Sequence, residues 1–533
     1  MRKVTSSPEQ KRKSSFLFAL GGFLIAYLIL HLFNLEVFPV FADEAIYIRW
    51  AQLLLDDWKQ YLFFALNDGK TPLFVWLIAL TQWITSNQLI AARLVSVLGG
   101  LTQAVAVALI LKELGAKRFT QMLGVILVTT LPYWFMYHRL AVMDGWLTAW
   151  LSLSFWASLK VNQTRSKKWR WIVITGLFYG AALWTKLPAL FYLPIFVILP
   201  FFSTKRDQKY DLVNLFQLCL PQLLAAGVGL CVFFALLISP AFGQLFARGQ
   251  DFSFTLSEVV AGKWTESFPN MLRFIGYFAS YLTYPVLLAA VAGLFSERER
   301  KRVALLLLCS LIFLSPFILL GKVVHPRYLL PAALFLTLAA SLSLESLCLR
   351  CSLAVQQGKV LWVGVAFVIA LLLGQVFTQS AVFISHFLFS PDTTPLVAVD
   401  RTQYLEEWSS GHGITETVQL IQQLTADHTV AVATEGRFGT LPDALLLYFH
   451  GKDVENLYIE GTGQYPVKSL PDFFTERAKD FDQSLLVVNS HRMELKLPPQ
   501  ALIAEYCRPN AAPCLQVWDV TALVKAVPSS QTP

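Results

Sequence analysis

Two adjacent carboxylates, Asp43 and Glu44, come ten residues after the first apolar run of the chain, and a lysine, Lys70, comes just before a later apolar segment that opens on Pro72. On a helix, neighbouring side chains point about 100° apart, so the pair divides two jobs: one carboxylate takes a proton from an attacking group while the other orients it or binds a metal. Three further charges stand at the ends of apolar runs: Asp144 in Arg139-Leu140-Ala141-Val142-Met143-Asp144, Lys186 in Thr185-Lys186-Leu187-Pro188, and Arg327 beside Tyr328 in His325-Pro326-Arg327-Tyr328. Cations gathered at one membrane face suit a phosphate, either bound or departing as a leaving group. Each residue also has a plainer reading. Lysine and arginine near span ends commonly snorkel to the headgroups, and an acid in a first helical turn is stabilised by the helix dipole.

The elements that must position these residues are membrane spans. The chain has 533 residues, 55% of them hydrophobic and 15% charged, with a mean hydropathy of +0.54. That composition belongs to a polytopic membrane protein. Runs long enough to cross a bilayer fall near 16–33, 89–111, 119–137, 143–160, 170–185, 187–202, 215–238, 271–295, 303–321, 328–347 and 360–384. The first lacks a small-residue cleavage site and reads as a retained span. The net charge of +8 sits in short loops, where it sets topology and gives no sign of nucleic-acid binding.

Charge bias also decides the fate of 72–86, which is polar at its end. If it lies along the surface, the basic loops around Lys112, Lys160, Lys205, Arg298 and Arg350 all fall on the cytoplasmic side with the N-terminus. Asp43, Glu44, Lys70, Asp144, Lys186, Arg327 and the chain beyond about 390 then share the outer face. If 72–86 crosses, the N-terminal basic cluster contradicts the other loops. The surface placement is therefore the expectation.

The composition shifts at Pro391-Asp392-Thr393-Thr394-Pro395, a linker. The expected domains are 1–389, in the membrane, and 390–533, a small extracytoplasmic α/β domain. In the latter Thr429–Thr434, Asn456–Glu460 and Leu485–Asn489 read as strands, and Ile414–Leu424 and Pro471–Lys479 as helices. Cys507 and Cys514 bracket Arg-Pro-Asn-Ala-Ala-Pro there, a spacing that suits a local disulfide in an oxidising compartment. The other five cysteines lie in or beside apolar spans and read as packing residues. The segment Trp408-Ser409-Ser410-Gly411-His412-Gly413 reads as a loop facing the membrane cavity, with no chemistry assigned to it. The sequence contains no P-loop, HExxH or paired CxxC, so nucleotide-driven and zincin chemistry have no support.

Taken in order, the acidic pair, the Lys-x-Pro-Leu entry at Lys70, Arg-Leu-Ala-x-x-Asp at Asp144, Thr-Lys-x-Pro at Lys186 and Arg-Tyr-x-x-Pro at Arg327 resemble the GT-C glycosyltransferases, and among these the protein O-mannosyltransferase and aminoarabinose-transferase group. The resemblance covers roughly residues 16–345. It departs at Lys70-Thr71-Pro72, where the group has Lys-Pro-Pro, and at Leu187, where it has glycine. The resemblance implies a polytopic α-helical fold of about 11–13 transmembrane helices with a small C-terminal α/β domain. It also implies transfer of a hexosyl or pentosyl group, with inversion, from a polyprenyl-phosphate-linked donor to a protein, lipid or polysaccharide acceptor at the outer face of the cytoplasmic (inner) membrane. Asp43 would then be the catalytic carboxylate, Glu44 its support and Asp144 a wall of the same cavity. Lys70 and Arg327, with Lys186 and Tyr328 beside them, would hold the lipid phosphate. A divalent cation, Mg or Mn, on Asp43 and Glu44 stays open. The rival reading is a lipid or sugar transporter or flippase, which the gathering of charge on one face and the lack of internal repeats disfavour.

Overall fold

The structure, a computed structural model, describes residues 21–164, 166–203, 211–451 and 456–526. The beginning of the first expected span, the N-terminal basic cluster, Arg165 and the Lys205/Arg206/Lys209 loop lie outside these residues. The chain divides into two compact units. One holds the chain up to Leu35 with Phe63–Phe74 and Arg93–Leu388; the other holds Glu36–Leu62, Val75–Ala92 and the chain from Phe389 on.

The first unit is helical, and each expected span within it falls on helical chain. Among the described residues five helices are long and apolar enough to cross a membrane: Gln88–Glu113, Leu212–Ile238, Arg300–Leu320, Pro326–Gln356 and Leu361–Phe389. A bent pair, Leu256–Tyr281 and Tyr284–Phe295, makes a sixth if counted as one span. Three expected spans are not single rods, and prolines account for the breaks. The run 119–137 splits at Leu131, which is extended because Pro132 follows and opens the next helix. The run 187–202 is three short turns punctuated by Pro188, Pro194 and Pro200. The run 271–295 bends by 108° at Thr283, whose φ of 74° is left-handed, just before Pro285.

The helix Lys168–Thr185, which delivers Lys186, packs on Met143–Gln163 and Leu212–Phe234. A Cβ on Gly180 would come within 2.6 Å of Val232, and one on Gly229 within 2.4 Å of Tyr179. Small residues let these backbones approach, as membrane helices require where no hydrophobic drive pulls them together. The Trp184 indole donates to Val232 O at 2.8 Å and locks the register.

The run 72–86 contains only Leu73–Thr81 as helix. Nine residues rise about 13 Å, well short of a bilayer core.

In the second unit a five-stranded sheet has the order β2-β1-β3-β5-β4, with β1 Val430–Thr434, β2 Leu457–Gly461, β3 Gln483–Asn489, β4 Leu502–Tyr506 and β5 Leu515–Asp519. β1 runs parallel to β2 and β3; β5 is antiparallel to β3 and β4. All five residues of β1 are buried, as the centre of a sheet covered on both faces requires. Ala431, Ala433, Leu486 and Val488 form its core with Phe474 and Val524. The helices expected at Ile414–Leu424 and Pro471–Lys479 are present as Ile414–Leu424 and Asp472–Ala478.

Candidate active site

Asp144 lies in the first turn of the Met143–Gln163 helix, but its side chain does not cap that turn. Its Oδ1 accepts from Lys186 Nζ at 2.7 Å, and its Oδ2 lies 3.9 Å from Arg327 Nε. Lys186 terminates the Lys168–Thr185 helix in an extended conformation. Arg327 sits in the Pro326–Leu329 turn that leads into Leu330–Gln356. Tyr328 completes the group: Lys186 Nζ stands 4.2 Å and Arg327 Cζ 5.4 Å from its ring centroid. The Tyr133 hydroxyl donates to Pro326 O and pins the turn from behind.

Four residues from three separate apolar segments thus meet. Asp144 and Arg327 are buried, and Lys186 is 17% exposed. Two cations share one carboxylate. Buried charge of this kind is costly unless paired, and here Asp144 contacts both cations. An acid near a helix N-terminus and a lysine at a C-terminus also agree with the helix dipoles. Both Asp144 oxygens face cations, so its place is that of an anchor for the Lys186 and Arg327 side chains.

Lys70 belongs to the same unit. It follows the short turn Phe64–Asp68, closed by Gly69 in the left-handed conformation, and its amide donates to Ala65 O at 3.1 Å. The half-buried ammonium pairs with no group among the described residues, whereas its neighbour Asp68 is held by Arg248 at 2.5 Å. Sequence reasoning gave no role to Arg139, which is buried and donates to the carbonyls of His31, Phe33 and Asn34 at 2.7 to 2.8 Å. Arg93 does the same for Leu35 at 2.8 Å. Both arginines satisfy carbonyls where the first helix ends, a task that must be met inside protein at membrane depth. A charge placed inside or beside an apolar run was the available signal.

The acidic pair lies in the second unit, in the first turn of the Ala42–Asp56 helix. Asp43 is half-buried. Glu44 is fully buried, and its Oε2 accepts from Phe41 N at 2.9 Å. That bond caps the helix, so Glu44 takes a structural part and a divalent cation would compete with the cap for its carboxylate. The Trp408–Gly413 segment holds the start of this helix as a strand-like partner: Ala42 N donates to Ser409 O at 2.9 Å and Gly411 N to Val40 O at 2.7 Å. Farther along the helix, Gln52 Nε2 donates to Leu447 O at 3.0 Å. Cys507 and Cys514 form the expected disulfide. Among the described residues the one grouping of metal-ligand type is Glu505 with these two cysteines, whose sulfurs are already bonded to each other.

Residues 17–238 match the family described as dolichyl-phosphate-mannose-protein mannosyltransferase. No curated protein matches the sequence. Among solved structures, ArnT from Cupriavidus metallidurans bound to undecaprenyl phosphate is similar with a TM-score of 0.54 at 14% identity, over 93% of this chain and 97% of that one. Its apo form gives 0.54 at 16%, over 95% and 99%. The chain therefore has a GT-C fold of the mannosyltransferase and aminoarabinose-transferase type.

Proposed function

We propose that this GT-C protein is a membrane glycosyltransferase that moves a sugar from a polyprenyl-phosphate carrier to a hydroxyl or amine acceptor, at the extracytoplasmic face of the cytoplasmic membrane. The observation that carries the reading is the buried group of Lys186 and Arg327 on the Asp144 carboxylate, two preorganised cations at the ends of apolar helices. The ArnT structure bound to undecaprenyl phosphate supports the class of carrier. The disulfide supports an oxidising compartment for the C-terminal domain.

In the reaction, the acceptor oxygen or nitrogen attacks the anomeric carbon and its proton passes to the Asp43 carboxylate. The bond between that carbon and the phosphate oxygen breaks, and the electron pair leaves on the phosphate. One displacement inverts the anomeric centre. Lys186, Arg327 and the uncommitted ammonium of Lys70 hold the phosphate and stabilise the charge that develops as it departs. Tyr328 limits how far the two cations can move. Asp43 carries the base role alone, since Glu44 caps its own helix.

The test is release of free polyprenyl phosphate by purified protein from a panel of lipid-phosphate sugars, with a crude acceptor extract present. Release should fall by about 10²–10⁴-fold in Asp43→Asn, the range for losing a general base. Wild-type release by a stably expressed Asp43→Asn overturns the assignment of the base. No release from any donor by folded protein overturns the enzyme reading in favour of a transporter.

A further inference from the structure

The C-terminal domain has a feature that the transfer reaction does not use. In open sheets with parallel strands, ligands bind outside the carboxyl ends of the strands, where the strand order reverses. Here β1 lies between β2 and β3, so that point is the carboxyl ends of β1 and β3. The residues there are unusual for a small domain. Glu435 and Arg508 are each 3% exposed and Asn489 is 1% exposed. Glu435 accepts from Asn489 N and Nδ2, both at 2.9 Å, and from Arg492 Nη1 at 3.3 Å. Arg508 Nη2 donates to Asn489 Oδ1 at 2.6 Å, while its buried Nε has no partner among the described residues. Arg492 lies over Trp408 at 4.2 Å and reaches Tyr465 at 5.6 Å.

Two aromatic side chains beside this network face water: Phe438 is 60% and Tyr465 is 70% exposed. Arg437, also exposed, lies across Gly463, where a Cβ would come within 2.7 Å of its Nε, and it makes no ion pair among the described residues. Exposed aromatics grouped with the unpaired guanidinium of Arg437 mark a binding surface more than a packing defect.

The backbone narrows the ligand class. The glycine-containing loops after β1 and β2 look suited to phosphate, but their amides are spent internally. Gly436 N donates to Gln464 O at 3.0 Å and Gly463 N to Gly436 O at 2.8 Å. Gly439 N donates to the Asp443 carboxylate at 2.7 Å, which also places an acid where the following helix begins. A phosphate nest needs such amides free. What remains is planar guanidinium forks, which match carboxylates and, without a backbone nest to favour it, phosphate only by the same two-point contact, and aromatic faces, which stack on the C–H faces of sugar rings.

We propose that the carboxyl end of β1 and β3 binds a saccharide carrying a carboxylate, with Arg437 and Arg492 on the carboxylate and Tyr465 and Phe438 against the rings. The site stands whether or not the chain transfers sugar, and it is tested by binding alone. The full chain in detergent is titrated calorimetrically with a tetrasaccharide alternating glucuronate and N-acetylglucosamine, a neutral N-acetylglucosamine tetrasaccharide, inorganic phosphate and ADP. The acidic tetrasaccharide should bind saturably, and the other three about tenfold more weakly or not at all, the worth of one charge-assisted contact. Arg437→Gln and Tyr465→Ala should each weaken binding by about tenfold, and Tyr465→Phe should restore it. Both positions are exposed, so a folding defect is not expected, and the melting temperature checks it. Absence of binding, equal or tighter binding of phosphate, ADP or the neutral sugar, or unchanged affinity in both variants overturns the proposal.

Discussion

Asp144 illustrates how a single carboxylate fixes a site. Replacing it by asparagine removes the carboxylate that Lys186 and Arg327 share, in a place where only Lys186 reaches solvent. Removing one partner of a buried pair costs about 3–5 kcal/mol, whereas removing the pair together costs much less. Asp144→Asn should therefore lower the melting temperature in detergent more than Asp144→Asn/Lys186→Met does, a sign that a double-mutant cycle reads directly. If the double variant is the less stable of the two, Asp144 is not holding Lys186. A second carboxyl, Asp443, is governed by burial, which raises it from 3.8 to about 6 against the opposing pull of the Gly439 amide and Arg49. The folded state then binds a proton that the unfolded chain has already lost, so stability falls as pH rises from about 4 to about 6, by up to ~3 kcal/mol. Asp443→Asn keeps an oxygen for the Gly439 amide and should flatten that slope, measured as hydrogen-exchange protection of Asp443–Phe449 across the same pH range.

At the scale of elements, the sequence was most readable where a charge interrupts an apolar run. Asp144, Lys186, Arg327 and Tyr328 drew attention in the sequence because each stands at the end of a span, and the structure brings their side chains together. Glu44 shows the limit: two adjacent acids look equivalent in sequence, and only the structure shows that Glu44 is fully buried and accepts from Phe41 N while Asp43 is half-buried. The edge strand β4 and its neighbour β5 were missed because each is only five residues long, β4 buries none of its residues and β5 only two, and a Pro- and Asn-containing turn separates them. The pairing of Val40–Ala42 with Ser409–Gly411 was illegible for another reason. It joins segments more than 360 residues apart through backbone atoms, which leave no side-chain pattern; the one trace is Gly411. A Cβ there would lie 2.3 Å from Val40 Cγ1 and 2.4 Å from Val40 O. Gly411→Ala should open this pairing and let the Asp43 helix shift, lowering polyprenyl-phosphate release by about tenfold or more, as small misplacements of catalytic groups do. Exchange at the Ala42 amide should rise in parallel. Unchanged exchange at Ala42 would show that the contact accommodates a methyl group and that Gly411 has no positioning role.

For the whole molecule, the reading turns on which side of the membrane each loop faces. The described basic residues Lys112, Lys117, Arg118, Arg298, Arg300, Lys301 and Arg302 lie at or between helix ends that the charge bias places in the cytoplasm. Two of these segments are also tied to one residue of the Leu330–Gln356 helix: Glu345 accepts from Lys117 N at 3.0 Å and from Arg298 Nη2 at 3.0 Å. They must therefore share a side whatever the number of crossings between them. A polyprenyl-phosphate donor used outside the cytoplasm requires the cluster of Asp144, Lys186 and Arg327 to open to the opposite side, and requires the disulfide-bearing domain to lie there too. Cysteines placed at the exposed positions Glu297 and Lys468, in a background where the exposed Cys231 and Cys348 are replaced by serine, separate the two outcomes. A membrane-impermeant maleimide added to intact spheroplasts should label Lys468→Cys and leave Glu297→Cys untouched until the membrane is broken. The reverse pattern would put the cation cluster on the cytoplasmic side, where Cys507 and Cys514 would be kept reduced. An extracytoplasmic transferase could not be built on that arrangement.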